Sequence, residues 1–328
     1  MSVDGRGLRR DLALLVLLCV AVAAIALSTD DGVVLHFLIL TLHAALLSVA
    51  WNVLAGFGGQ FSFGHAAFFG VGAYACAVLQ INIGLSAWIA LPLAVVAGAI
   101  TGAVIGGLAF RYGLRGSYFA LVTLAFAEVL RILANTFDFT GAGVGLQLPL
   151  QPGVATLQMD KSGMLVFMLV LLAAGLLVSI WLRHSRFGAW LMAVRDNEDA
   201  GRALGVDVFR VKLGAAAISG ALTAAAGVFY VQYLNYIDPV LAFGPAVSVE
   251  ALVGAIVGGL GTVWGPLVGA VLLHTLGETT RNLFGDLPGM NLVLYGTILV
   301  LVMVLAPRGV AGIAARVPRL AGRKRSVG

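Results

Sequence analysis

An all-α, polytopic integral membrane fold is predicted by three observations on this 328-residue chain. Apolar residues make up 60% of it and charged residues only 11%, against about 25% charged in a typical soluble domain. Ten apolar segments recur along the sequence. The basic residues gather in alternate connections between those segments. So little charge cannot coat a globule in water, so lipid is the solvent over much of the surface. A chain crossing lipid must satisfy its own backbone, which a helix does within one segment.

The segments run 12–28, 33–54, 65–80, 87–110, 118–135, 163–182, 213–233, 248–261, 264–276 and 290–306. A full span takes about 20 residues, so the eighth and ninth read as partial or broken helices. The first follows Arg6, Arg9 and Arg10 and ends in "AIA" at 24–26, a pattern that overlaps a cleaved signal peptide. The reading adopted keeps it as a helix. With the N-terminus in the cytoplasm and every segment crossing, 17 of the 20 Lys and Arg fall inside, in 1–11, 111–117, 183–212 and 307–328. Arg131, Lys161 and Arg281 fall outside. An inner excess of Lys and Arg is the usual mark of orientation, so the net charge of +5 reads as topology and lipid headgroup contact rather than as a nucleic-acid surface. The domain reading is therefore a basic N-terminus at 1–11, a membrane domain at 12–306 and a basic cytoplasmic tail at 307–328. Cys19 and Cys76 lie in apolar runs and form no disulfide or zinc pattern. The outer loop, 136–162, contains "DFTGAGVGLQLPLQPG" and reads as ordered and turn-rich. Capping the bundle and facing a partner both fit it.

The least regular apolar stretch is "WNVLAGFGGQFSFGHAAFFGVGAYACAVL", 51–79, where Asn52, Gln60, Ser62 and His65 stand among six glycines. Non-helical backbone at membrane depth must be shielded by protein or line a watery cavity. The segment is read as partly re-entrant, with these four side chains lining a pathway; a short loop at the membrane surface is the alternative. "GGLGTVWGPLVG", 258–269, has the same character, and Pro266, lacking an N–H, is expected to open a new helix there. Small residues crowd most spans and permit close helix approach. Glu128 and Arg131 are three apart on one helix face and suited to pair, with Glu128 expected to point into the bundle. Glu250 lies in "VSVEALVGAIVGG". Intramembrane charges avoid lipid, so Glu128 and Glu250 are candidates for the pathway, beside packing or rim placement. His274 and Glu278 are two possible ligands one turn apart, which do not make a metal site.

The largest inward loop, 183–212, mixes Arg, Asp and Glu with apolar residues. A short amphipathic helix is expected at 197–204, capped by Asn197 or Asp196 and stopped by Gly205. It reads as a docking element for a cytoplasmic protein or as a helix lying along the membrane. The chain lacks the GxxxxGK[ST] phosphate loop, since Lys161, Lys212 and Lys324 have other contexts. It also shows no nucleophile–base pair, metal set or phosphate cradle, which argues against an enzyme. Any ATP-driven step must be powered by another polypeptide.

Three stretches together resemble one family, the permease subunits of ATP-driven high-affinity importers of branched-chain amino acids. They are "NVLAGFGGQFSFGHAAFFGVGAY", "SRFGAWLMAVRDNEDAGRALGVDVFRVKLGAAAISGALTAAAG" and "GGLGTVWGPLVGAVLL". The similarity covers about residues 35–305 and looks most like the longer of the family's two paired permease types. It implies a multi-pass protein of the bacterial inner membrane. The implied partners are a sister permease, two cytoplasmic ATPase subunits that carry ATP and Mg, and a periplasmic solute-binding protein, with no cofactor in this chain. It places ATPase docking on Arg195, Asp196, Glu198, Ala203, Leu204 and Gly205. The implied cargo is Leu, Ile and Val or related small polar solutes. Where the family motif reads "GQLSLGH", this chain has Phe61 and Phe63, which leaves the exact solute open. A stand-alone ion-coupled transporter is the alternative, compatible with broken helices and with Glu128 or Glu250.

Overall fold

Long apolar runs become long helices because lipid offers no other partner to their backbone groups. The computed structural model describes residues 5–284 and the positions 289–290, 293–294, 296–297, 300 and 309–310. The tenth expected segment and the basic tail lie almost wholly outside the described residues. In order, the helices are α1 (Gly5–Ser28), α2 (Gly32–Asn52), α3 (His65–Ile81), α4 (Ala87–Arg111), α5 (Gly116–Thr136), α6 (Lys161–His184), α7 (Arg186–Asp196), α8 (Glu198–Ala203), α9 (Val208–Leu234), α10 (Pro239–Phe243), α11 (Pro245–Gly258) and α12 (Gly265–Phe284). Polar residues before the apolar runs start several of them. The Asp31 carboxylate accepts from Val33 N at 2.8 Å, Asp207 from Arg210 N at 3.0 Å, and Asp238 from Val240 N and Leu241 N. Each satisfies a donor that the first helical turn leaves open.

α2 is the central post. Its second half is buried throughout, and it packs on α6, α9, α11 and α12. α9 in turn packs on α3 and α4. α4 and α9 approach to backbone contact, since a Cβ on Gly220 would collide with the Gly98 carbonyl. In lipid, such small-residue contacts take the place of apolar burial as the source of helix association. α1 lies at the periphery against α6.

Side-chain contacts tie the loops into two groups. At one end, Asp11 of α1 meets His184 at the close of α6 (3.0 Å) and Trp264 after α11 (3.2 Å). At the other end, Lys161 donates to Gly32 O (2.9 Å), Trp88 to Val154 O (2.9 Å) and Tyr236 to Val144 O (2.9 Å). There the 137–160 loop is ordered by short 3-10 turns and by a two-residue strand, β1 (Leu146–Gln147), paired antiparallel with β2 (Tyr236–Ile237).

The expected count of ten spans is not confirmed. Seven helical stretches among the described residues are long and apolar enough to cross: α1, α2 with its extension to Phe57, α4, α5, α6, α9, and α10–α11 taken together. The third segment forms a helix of only 17 residues. The eighth begins earlier than its apolar run suggests, at Pro239, and breaks at Gly244–Pro245 before ending at Gly258. The ninth runs to Phe284, with Pro266 in its first turn.

Candidate functional site

α2 does not end in a standard turn. Val53–Phe57 widens into a π turn, Gly59 takes the left-handed conformation (φ 68°), and the chain then runs without regular structure, bending at Phe63, until α3 begins at His65. Gly59 is also where Arg195 crosses, leaving no room for a Cβ. The irregular stretch returns into the bundle. His65 Nε2 meets Ser219 Oγ at 2.9 Å, and Ser219 Oγ donates to Ala50 O at 2.7 Å. Ser219 lies near the middle of the 27-residue α9, so α3 starts at mid-depth, which explains its shortness. Because the serine's single proton goes to Ala50, His65 must donate from Nε2.

All four polar residues expected to line a pathway here are turned inward. Asn52, Ser62 and His65 are 0% exposed and Gln60 is 6% exposed. Asn52 grips the turn between α11 and α12, donating to Thr262 O (2.9 Å) and accepting from Gly261 N (2.8 Å). Ser62 O accepts from Trp51 Nε1 (2.8 Å), and Ser62 Oγ accepts from Gly64 N (3.0 Å). Gln60 Nε2 donates to Gly58 O. The neighbouring helices supply the remainder: Thr123 Oγ1 of α5 accepts from Phe63 N (3.2 Å), and Ser248 of α11 donates to Phe63 O (2.6 Å) and accepts from Ala66 N (3.0 Å). Backbone freed from helix in a dry interior must find such partners, and these side chains are those partners. Thr123, Ser219, Ser248 and Thr262 were not singled out in the sequence. Their only signal was a hydroxyl inside an apolar run.

The two carboxylates behave differently. Glu128 pairs bidentately with Arg131, at 2.9 and 2.5 Å, as their spacing suggests. Its side chain is half exposed, so it points away from this chain's own bundle, correcting the inward placement. α5 touches the bundle mainly through α3 and α10, on the face opposite. Glu250 on α11 faces His274 on α12 at 3.4 Å and is also accessible. His274 therefore meets an acid from another helix. Among the described residues, no group of three or more His, Cys, Asp or Glu is placed to hold a metal ion.

The loop between α6 and α9 folds into α7 and α8. Ser185 caps α7 at Gly188 N (3.1 Å). Asn197, not Asp196, caps α8, accepting from Asp199 N and Ala200 N at 3.0 Å. Gly205 closes the unit at φ 82°. Arg195 reaches back to donate from Nη1 to Gly56 O at 2.9 Å, placing a cation on the closing carbonyls of α2, where the helix dipole favours it. It also pairs with Asp196. Glu198 turns inward: it pairs with Lys212 of α9, whose side chain is 4% exposed, and with Arg115 before α5 (3.0 Å). Lys212 also sits 5.5 Å from the centre of the Phe110 ring. Of the docking candidates, Arg195, Asp196, Ala203, Leu204 and Gly205 remain on the surface and Glu198 alone is drawn in, with Leu204 82% exposed. Beside them lies a groove of about 420 Å³ walled by Phe187, Trp190, Leu204, Val206 and Arg210.

The arrangement joins a solvent-facing helical unit, through one guanidinium, to the start of an irregular membrane crossing. A family model described as "Branched-chain amino acid transport system / permease component" matches residues 33–303. The chain is 30% identical to the high-affinity branched-chain amino acid transport system permease protein LivM of Salmonella typhimurium, over 94% of this chain and 76% of that protein. The same figures hold for LivM of Escherichia coli. It is 22% identical to Escherichia coli LivH, the corresponding permease protein LivH, over 82% of this chain and 91% of the relative. No solved structure matches the chain.

Proposed function

The chain belongs to the branched-chain amino acid transport permease family, and from that premise we propose how its geometry serves an ATP-driven importer. It is a membrane-spanning permease subunit, and its relatives are transport permeases rather than enzymes. Its cargo is a branched-chain amino acid or a related small polar solute. It pairs with a sister permease, takes force from two cytoplasmic ATPase subunits that hold ATP and Mg, and receives solute from a periplasmic binding protein. The inner excess of Lys and Arg supports a topology with both termini and the α7–α8 loop in the cytoplasm.

The observation that carries this reading is the bond from Arg195 to Gly56 O. The ATPases dock on the exposed edge of α8, at Ala203, Leu204 and Gly205, and against the adjoining groove. Glu198 serves a different end: with Lys212 and Arg115 it fixes α8 to α9 and α5, so that a push on the loop is not lost in hinge motion. Arg195 passes the displacement to the end of α2, to the irregular segment behind it and, through Asn52, to the α11–α12 turn. Transport follows if nucleotide and solute favour different arrangements of these parts.

The test is uptake into proteoliposomes holding this chain, its sister permease, the ATPases and the binding protein. ATP-dependent leucine uptake that Leu204→Asp abolishes is the expected result. Uptake by this polypeptide alone, driven by an ion gradient without ATP, overturns the reading.

A further inference from the structure

The irregular crossing alternates. Along Gly59–Gly64 the residues are exposed, buried, half-buried, buried, half-buried and buried in turn. Exposure therefore alternates with a two-residue period, setting Gln60 and Ser62 against protein and Phe61 and Phe63 toward the more open side. One face carries Gln60 and Ser62, both engaged with protein backbone. The other carries Phe61 and Phe63. Their rings meet edge to face at 5.5 Å, and Phe61 is backed edge to face by the fully buried Trp51 at 5.1 Å. The segment is clasped between Thr123 of α5 and Ser248 of α11.

A non-helical stretch at this depth cannot turn its open face to hydrocarbon; that face meets protein or a water-filled passage. The segment is also joined directly to the element that takes the force, since Arg195 holds Gly56 just before it. We infer that Phe61 and Phe63 are the side chains that contact the solute on this half of the passage, an aromatic pair that receives the aliphatic part of an amino acid, while Asn52, Gln60, Ser62 and His65 only hold the backbone that presents them. The inference rests on the permease reading. It differs from the sequence expectation in assigning solute contact to the apolar residues of the motif rather than to its polar ones. Two rigid rings give broad apolar contact with few rotatable bonds to immobilise.

Cysteine accessibility tests it in the assembled, reconstituted complex, with Cys19 and Cys76 of this chain and the cysteines of its partners replaced. Phe61→Cys, Phe63→Cys and the control Ser62→Cys are exposed to a charged, membrane-impermeant thiol reagent, and in parallel to a lipid-soluble maleimide. Positions 61 and 63 are expected to react at least about tenfold faster than 62 with the charged reagent, as side chains on the open face of a wet passage should against one turned into protein. The rate is expected to change between nucleotide-free and ATP-trapped complexes. Reaction with the lipid-soluble reagent alone would place the rings against lipid. Reaction with neither would bury them against the sister subunit. Either result overturns the inference. A second measurement covers variants that fail to assemble: Phe61→Leu/Phe63→Leu, with the same binding protein, is expected to shift the leucine-to-valine uptake ratio by about tenfold, the lower end of what one methylene is worth in an apolar site. An unchanged ratio counts against solute contact. ATP-dependent uptake by the cysteine-free parent complex tests the permease reading separately.

Discussion

The crossing at 58–64 and the loop at 185–207 share a composition of glycine, polar side chains and scattered apolar residues, yet they fold by opposite rules. In the crossing every polar side chain turns inward and the phenylalanines take the open face. In the loop Glu198 is drawn inward while Leu204 projects outward. The difference lies in what surrounds each backbone. The protein-facing side of the crossing has no water to satisfy its free N–H and C=O groups, so serine, threonine, asparagine and tryptophan side chains are consumed in doing so. The loop has water on one side, so its side chains are free to fix the loop's position or to meet another protein. A polar residue in an apolar run is therefore first a candidate for holding backbone, and only then for meeting solute.

The comparison breaks most easily at Glu198. Glu198→Ala leaves Lys212 buried without its nearest acid and is expected to destabilise the chain by about 3 kcal/mol. Thermal unfolding in detergent would read this, and adding Lys212→Met should recover most of the loss. A Glu198→Ala protein as stable as wild type would mean that the residue faces the ATPases after all. Next is Asn52→Ala, which strands Gly261 N and Thr262 O in a dry turn at a cost of about 2 kcal/mol, read in the same assay. Arg195→Ala removes a charged but one-third exposed contact, and about 1 kcal/mol is expected after solvent screening. Its stronger effect should be on coupling, with ATP hydrolysis continuing in the assembled complex while uptake falls. Smallest in stability is Leu204→Asp, within about 0.5 kcal/mol for an exposed site. That variant should still lose co-purification with the ATPases, and retained binding would move the docking surface elsewhere.

Much of the helical plan was legible in advance. The long apolar runs became helices close to their expected bounds, Asn197 capped α8, Gly205 ended it, and the spacing of Glu128 and Arg131 gave the pair it suggested. Two readings went astray for physical reasons. The α10–α11 stretch was shortened because Pro239, Gly244 and Pro245 dilute its apolar run, although each proline stands at a helix start, where it is tolerated. Glu128 was turned the wrong way because a lone sequence cannot tell a helix face that packs on its own bundle from one that meets something else. Asn52, Gln60, Ser62 and His65 were identified as special, but the partners of Asn52 and His65, Thr262 and Ser219, lie 210 and 154 residues away along the chain.

That this protein lives in lipid, where its helices run, where it breaks regularity near residues 56–64 and 258–266, and which family it resembles are all written along the chain. Those properties follow from composition, period and local backbone chemistry, which are readable along the chain. Which face of each break is occupied by protein and which stays open emerges only from how the helices assemble. That outcome depends on hydrogen-bond partners brought together from α2, α5, α9 and α11, and no local pattern encodes which of them will meet.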